Sequence, residues 1–280
     1  MKTRNPRRRR PFFSARAGVQ AAACLALAAA LAAPAQAQGF GASISPPRFE
    51  LQVKAGQTLR EVIDIQHVGG QNGKFRIYTN DWTLQPDGSV RFTSELGADS
   101  CRPWVAVERR ELTITPGARY RYRFEVTPPP DTAPRECRFA VMIEGSDPAR
   151  VEQGGLDIPV GGRIAVIVYA SVGGAAPQLA ISPKGVAELN QQTLPALEVR
   201  NTGAAHGRLE GFLSGTDAAG HKFDLSPAGL PVLPGETRIV TLNPVTDEKT
   251  ALPPIKYPLR VTGALEWGSN RVALEHTFTR

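Results

Sequence analysis

The sequence predicts an all-β chain built as two antiparallel β-sandwiches in tandem, and three observations carry that reading. From Arg119 to Val126 apolar and charged residues alternate without a break, the period of a strand with one buried face. Turn signals recur at Ala55-Gly56, Pro86-Asp87-Gly88, Pro116-Gly117, Asn201-Thr202-Gly203 and Pro234-Gly235, and many short strands between such turns form the pattern of sandwiches. Beyond the leader, no segment carries a convincing helical period.

The chain opens on that leader. Residues 1–37 hold seven basic side chains and no acidic one, then an apolar stretch around Leu25, Leu27 and Leu31, then Ala35 and Ala37. This is the pattern of a secretory signal peptide cut before Gln38, and the apolar stretch is too short and Ala-rich for a membrane anchor. Arg9-Arg10-Pro11-Phe12-Phe13 also fits a twin-arginine signal loosely, so two export routes stay open. The leader takes seven of the 33 Lys and Arg residues and none of the 26 acids. The chain beyond it is balanced in charge, so overall charge gives no reason to expect nucleic acid as a partner.

Cys24 falls in the leader, which leaves Cys101 and Cys137 as a pair in a chain bound for an oxidising compartment. A disulfide is predicted, stabilising the fold by roughly 3 to 4 kcal/mol on the chain-entropy model. Cys137 shares parity with Phe139, Val141 and Ile143, which turns it toward the core. A catalytic or metal-binding thiol is the competing reading; the spacing matches no ligand motif, and no His lies near either Cys in sequence.

Leu156, Ile158, Val160, Gly162, Ile164, Val166 and Val168 also share one parity, so one strand of about 13 residues is expected, against a usual 5 or 6. Its second part is apolar on both faces and suits a sandwich interior. Its first part is apolar on one face and contains Pro159, which fits an edge. An apolar edge either packs on the protein's own sheet or is kept for a partner that accepts a strand.

The small, uncharged run Ser171–Pro177 is the expected linker. The domain reading is a signal peptide at 1–37, an N-terminal domain at 38–170, a linker at 171–177 and a C-terminal domain at 178–280. An internal echo supports two units: Ile63, Ile65, His67, Gly69, Gly73, Lys74 and Phe75 correspond without a gap to Leu197, Val199, Asn201, Gly203, Gly207, Arg208 and Leu209, each 134 residues later.

An enzyme is not expected. The chain lacks a Gly-x-Ser-x-Gly elbow, a phosphate-binding Gly loop and a paired metal-ligand motif, so no catalytic residue, metal or cofactor is assigned. His67 and His206 lie near turns and read as surface groups. Asp81-Trp82 and Trp104 would suit an aromatic sugar-binding patch, although buried Trp is the commoner role in a sandwich.

The chain resembles the PapD-like periplasmic chaperones of pilus assembly, whose two immunoglobulin-like domains are set at an angle. Ser45-Pro46-Pro47-Arg48-Phe49-Glu50-Leu51 looks like the family's first strand, and the resemblance makes Arg48 the anchor of a subunit's C-terminal carboxylate in the cleft. Pro134-Arg135-Glu136-Cys137-Arg138-Phe139 partly matches the family signature, which implies an interdomain contact for Glu136. Leu156, Ile158 and Val160 match the donor-strand row.

The family's second anchor is a Lys whose place is taken by Ala165; Arg163, two residues earlier on the same face, is the expected substitute. The resemblance implies pilus subunits and an outer-membrane usher as partners, the periplasm as location, and capping of incomplete subunits by donor-strand complementation. The alternative reading is a structural or adhesive two-domain sandwich of the cell envelope or a surface fibre.

Overall fold

The computed structural model describes residues 41–147, 149–153, 156–189, 191–246 and 253–280, with backbone alone at 149–153 and 156–160. The expected leader, with Cys24, lies outside the described residues. Among those described, no helix is long and apolar enough to cross a membrane. A 3-10 turn at Arg102–Trp104 accompanies the strands.

In the first half the strands are β1 Ala42–Ser45, β2 Arg48–Val53, β3 Leu59–His67, β4 Gly73–Leu84, β5 Val90–Thr93, β6 Val105–Val107, β7 Glu111–Ile114, β8 Arg119–Val126, β9 Arg135–Gly145, β10 Ala149–Gln153, β11 Leu156–Val160 and β12 Arg163–Val172. One sheet has the order β1-β3-β8-β6; the facing sheet has the order β2-β12-β9-β4-β5, with β7 also on β4. Pro46 and Pro47, which have no N–H to give a ladder, separate β1 from β2 as the chain passes from one sheet to the other. Pairing is antiparallel except that β2 runs parallel to β12, from Arg48 opposite Ile167 to Val53 opposite Val172.

The alternation that predicts a strand at 119–126 is realised in β8. Tyr122, Phe124 and Val126 are buried while Arg119, Arg121 and Arg123 face solvent. Burial pushes the Tyr122 hydroxyl up to about 12, and that hydroxyl donates to the Arg109 carbonyl. Cys137, Phe139, Val141 and Ile143 line the same core from β9, and the Cys101–Cys137 disulfide is present inside it, with Cα atoms 5.9 Å apart.

Two features differ from the sequence expectation. The long strand expected from Leu156 to Val168 is two strands, β11 and β12, parted at Gly161-Gly162. Gly has no side chain to pack on a pleated face and weakens a strand there, while its parity leaves the apolar alternation unbroken. β11 forms a hairpin with β10 as a separate two-stranded sheet, beyond a backbone bond from the Gly145 N–H to the Gly162 carbonyl. Ser171 and Val172, expected in the linker, remain in β12 and pair on both sides; the connection starts at Gly173, whose φ of 64° suits glycine.

The second half comprises β13 Leu179–Leu189, β14 Gln192–Asn201, β15 Leu213–Thr216, β16 Lys222–Pro227, β17 Thr237–Pro244, β18 Leu259–Trp267 and β19 Asn270–Phe278. They follow one antiparallel path, β13-β14-β17-β16-β15-β18-β19. The path curls over a core in which Leu197 and Val199 of β14 join Val261 of β18 and Phe278 of β19.

The internal echo is geometrical as well as textual. His67 ends β3 and Asn201 ends β14; both are buried. His67 bonds the carbonyls of Gly41, just before β1, and of Gln71, four residues on. Asn201 takes the N–H of Gln178, just before β13, and donates to the carbonyl of Ala205, again four residues on. The second strand of the echo forms only in the first half: Phe75 lies in β4, whereas Leu209 precedes β15 in irregular backbone.

Candidate binding cleft between the two halves

The outward face of the β2–β12–β9 sheet meets the second half at a cleft. Residues opposite one another in register share a face, so Arg48, Glu50 and Gln52 of β2 stand beside Ile167, Tyr169 and Ser171 of β12. Those in turn stand beside Ala140, Arg138 and Glu136 of β9. The second half brings His206 and Arg208 onto this row. Arg48, Glu50, Tyr169, His206 and Arg208 border a cavity of about 280 Å³ that also touches Trp267.

One carboxylate organises the mouth of the cavity. Oε1 of Glu50 lies 2.9 Å from Arg48 Nε, 3.5 Å from Arg208 Nε and 3.6 Å from His206 Nε2. Glu50 and Arg48 are about half exposed, at 47% and 48% of their side chains, whereas Arg208 retains 16%. Arg208 is pinned by Tyr169, whose hydroxyl accepts from Nη2 at 3.2 Å, and by the Gly229 carbonyl, which accepts from Nη1. Its guanidinium also lies over the Tyr169 ring, 5.7 Å from the centroid. Burial raises the Tyr169 hydroxyl pKa, and the Arg208 charge opposes that rise.

Behind the cavity the halves are joined by buried groups. The Glu136 side chain is fully enclosed, and its Oε2 takes both the backbone N–H of His206 at 3.0 Å and ring Nδ1 at 2.5 Å. The His206 ring stacks on Tyr169 at 3.8 Å. The reading of His67 and His206 as surface groups is therefore corrected: the His67 ring is enclosed by the turn that folds back over the end of β3, and the His206 ring by Glu136 and Tyr169 of the first half.

Arg163, the expected second anchor, opens β12 on the same face as Arg48, but Arg48 is opposite Ile167, four residues further on. At the rise of a strand that is about 13 Å, so the two guanidinium-bearing positions are not neighbours. Arg163 stands instead beside Tyr78 and Glu144, where its charge helps hold the Glu144 carboxyl low, after the hydrogen bonds from Tyr78 and Arg76. For Leu156, Ile158 and Val160 the backbone of β11 is described and the side chains are not.

Trp82 is buried in a second apolar cluster with Met142 and Tyr169, its N–H on the Phe139 carbonyl. Trp104 packs against the main core. The two rings are thus built into different clusters and form no common sugar-binding face. Among the described residues no group of three or more His, Cys, Asp or Glu could hold a metal ion.

Glu50, His206 and Arg208 were not picked out as site residues by the sequence. Glu50 is visible only as an outward position of a short strand. His206 and Arg208 come from irregular backbone far along the chain, and no local pattern ties them to Arg48.

A backbone feature completes the site. β2 begins pairing with β12 only at Ile167. On that side, Arg163–Val166 of β12 and all of β11 have no partner strand among the described residues. The open edge ends where Arg48 begins.

No family model and no curated protein matches the chain. Among solved structures, it is similar to the class 5 fimbriae chaperone CfaA, at 13% identity over 85% of this chain and 99% of that one, with a TM-score of 0.45. It is also similar to a chain in the CsuC–CsuE chaperone–tip adhesion subunit pre-assembly complex from Csu pili of Acinetobacter baumannii, at 13% identity over 84% and 97% of the two chains, TM-score 0.43. A third is a chain in the Salmonella enterica SafA pilin–SafB chaperone complex, at 14% identity over 86% and 96%, TM-score 0.42.

Proposed function

We propose that the chain is a non-enzymatic periplasmic chaperone of pilus or fimbrial subunits, which caps incomplete immunoglobulin-like subunits by lending them the edge of β11 and β12. Under this reading the half ending in β12 is the N-terminal domain, and an outer-membrane usher receives the capped subunit. The observation that carries it is the open edge that stops at Arg48. A strand added to that edge lies in line with β2; if it runs parallel to β12, as β2 does, its C-terminus abuts Arg48.

Main-chain hydrogen bonds along the edge supply affinity. A terminal carboxylate leaving water has to be paired, and the guanidinium at Arg48 pairs it and sets the register. Alternating Leu156, Ile158 and Val160 supply apolar surface, on the order of 1.5 to 3 kcal/mol for each side chain fully removed from water. Arg163 lies along the path of the strand and contacts its side rather than its end.

The test is capture in the native periplasm. Arg48→Ala should lose the co-purifying subunit while the melting profile of the isolated protein stays unchanged, because Arg48 is half exposed. Full capture by the variant would refute the carboxylate anchor.

A further inference from the structure

We infer that Glu50 is an internal stand-in for the partner's terminal carboxylate and that Arg208, from the second half, is the second anchoring cation. This rests on the reading of the cleft as the seat of a strand's C-terminus. Nitrogens of Arg48, two residues away, and of His206 and Arg208 from the second half lie within 3.6 Å of one oxygen of Glu50. That is the arrangement an incoming carboxylate would require.

Glu50 is held loosely for such a position. Its side chain is about half exposed, so it can turn out to water and keep its own charge solvated. Arg208 cannot follow it, because Nη1 and Nη2 are fixed on Gly229 and Tyr169. Its Nε is buried and has no hydrogen-bonded acceptor, and the buried Trp267 N–H beside the same cavity also lacks one. Two donors therefore stand ready for an acceptor that Glu50 does not satisfy.

Exchange of one carboxylate for another leaves the charge of the cleft unchanged. Arg138 stays opposed by Glu136, and Arg48 and Arg208 by one carboxylate in the mouth. A neutral chain end has nothing to exchange. The cleft is thereby selective for a free C-terminus, and Glu50 lowers its affinity by competing.

The experiment is calorimetry on the full mature chain at low salt with a synthetic peptide of alternating Val and Thr, used as the free acid and as the C-terminal amide. Glu50→Gln should bind the acid about fivefold more tightly, the upper range for a partly exposed ion pair. Arg208→Gln should bind it about tenfold more weakly, as for a lost charged hydrogen bond. Binding of the amide should respond to neither change.

Equal or weaker binding of the acid by Glu50→Gln overturns the inference, and that half-exposed position keeps the result independent of repacking around Arg208. Loss of acid binding in Arg48→Ala, with Glu50→Gln and Arg208→Gln both like the parent, overturns the inference and leaves the anchor reading standing. Acid and amide bound alike by every form overturn both.

Discussion

Asn201 shows how one buried side chain holds a half together. Its Oδ1 accepts from the N–H groups of Gln178 and Gly203, and its Nδ2 donates to the carbonyls of Ala205 and Val232, so every hydrogen-bonding valence is used. Asn201→Ala removes all four bonds and leaves backbone groups without partners in the interior. A loss of about 2 to 4 kcal/mol in urea unfolding is expected, from a residue that also holds Ala205 of the cavity wall in place.

Asp217 makes a different residue-scale prediction. Burial alone would raise its pKa, but the N–H groups of Lys256, His221 and Ala219 and the His221 ring outweigh burial and hold it at about 2. Because the folded value lies below the ordinary value near 3.9, its contribution is fully present above that value. It is lost as pH falls from there through about 2. Asp217→Asn should therefore flatten the stability profile between those limits, measured by denaturant midpoints at successive pH values; an unchanged acid slope would contradict the assignment.

Among the elements, the disulfide ties the segment before β6 to the start of β9. Replacing Cys101 and Cys137 by Ser opens a loop with a sequence separation of 36, and a loss of roughly 3 to 4 kcal/mol is expected in chemical denaturation. Both β8 and the parity of Cys137 are legible in the sequence because a half-buried strand writes its own period. The break between β11 and β12 is not legible in the same way: Val160, Gly162 and Ile164 keep one parity, and the glycine that interrupts the strand occupies an in-phase position. The end of β12 is hidden for a related reason. Small residues such as Ser171 read as linker, yet here they pair between β2 and β9, where packing between strands overrides local composition.

Beyond the cavity mouth, where Arg208 meets Tyr169, two further fastenings join the halves of the molecule. One is Glu136 with His206. The other is Arg238, whose nearly enclosed guanidinium donates to the carbonyls of Gln85 and Pro86 at the β4–β5 turn, where Leu230 packs against Gly88. Arg238→Ala should loosen the angle between the halves, read as a larger maximum dimension in small-angle scattering while both cores remain folded.

The cleft was only partly legible in the sequence, since Arg48 and Glu136 stand out by resemblance. Their partners Glu50, His206 and Arg208 reach them through sheet register and the meeting of two halves, neither of which leaves a local pattern.

Hydrogen–deuterium exchange of the protein with the subunit partner of the proposed function bound tests the open edge most directly. The account predicts new protection along Leu156–Val166 that stops at Ile167, where β2 already covers β12. Protection elsewhere in the cleft with unchanged exchange along Leu156–Val166 would contradict it.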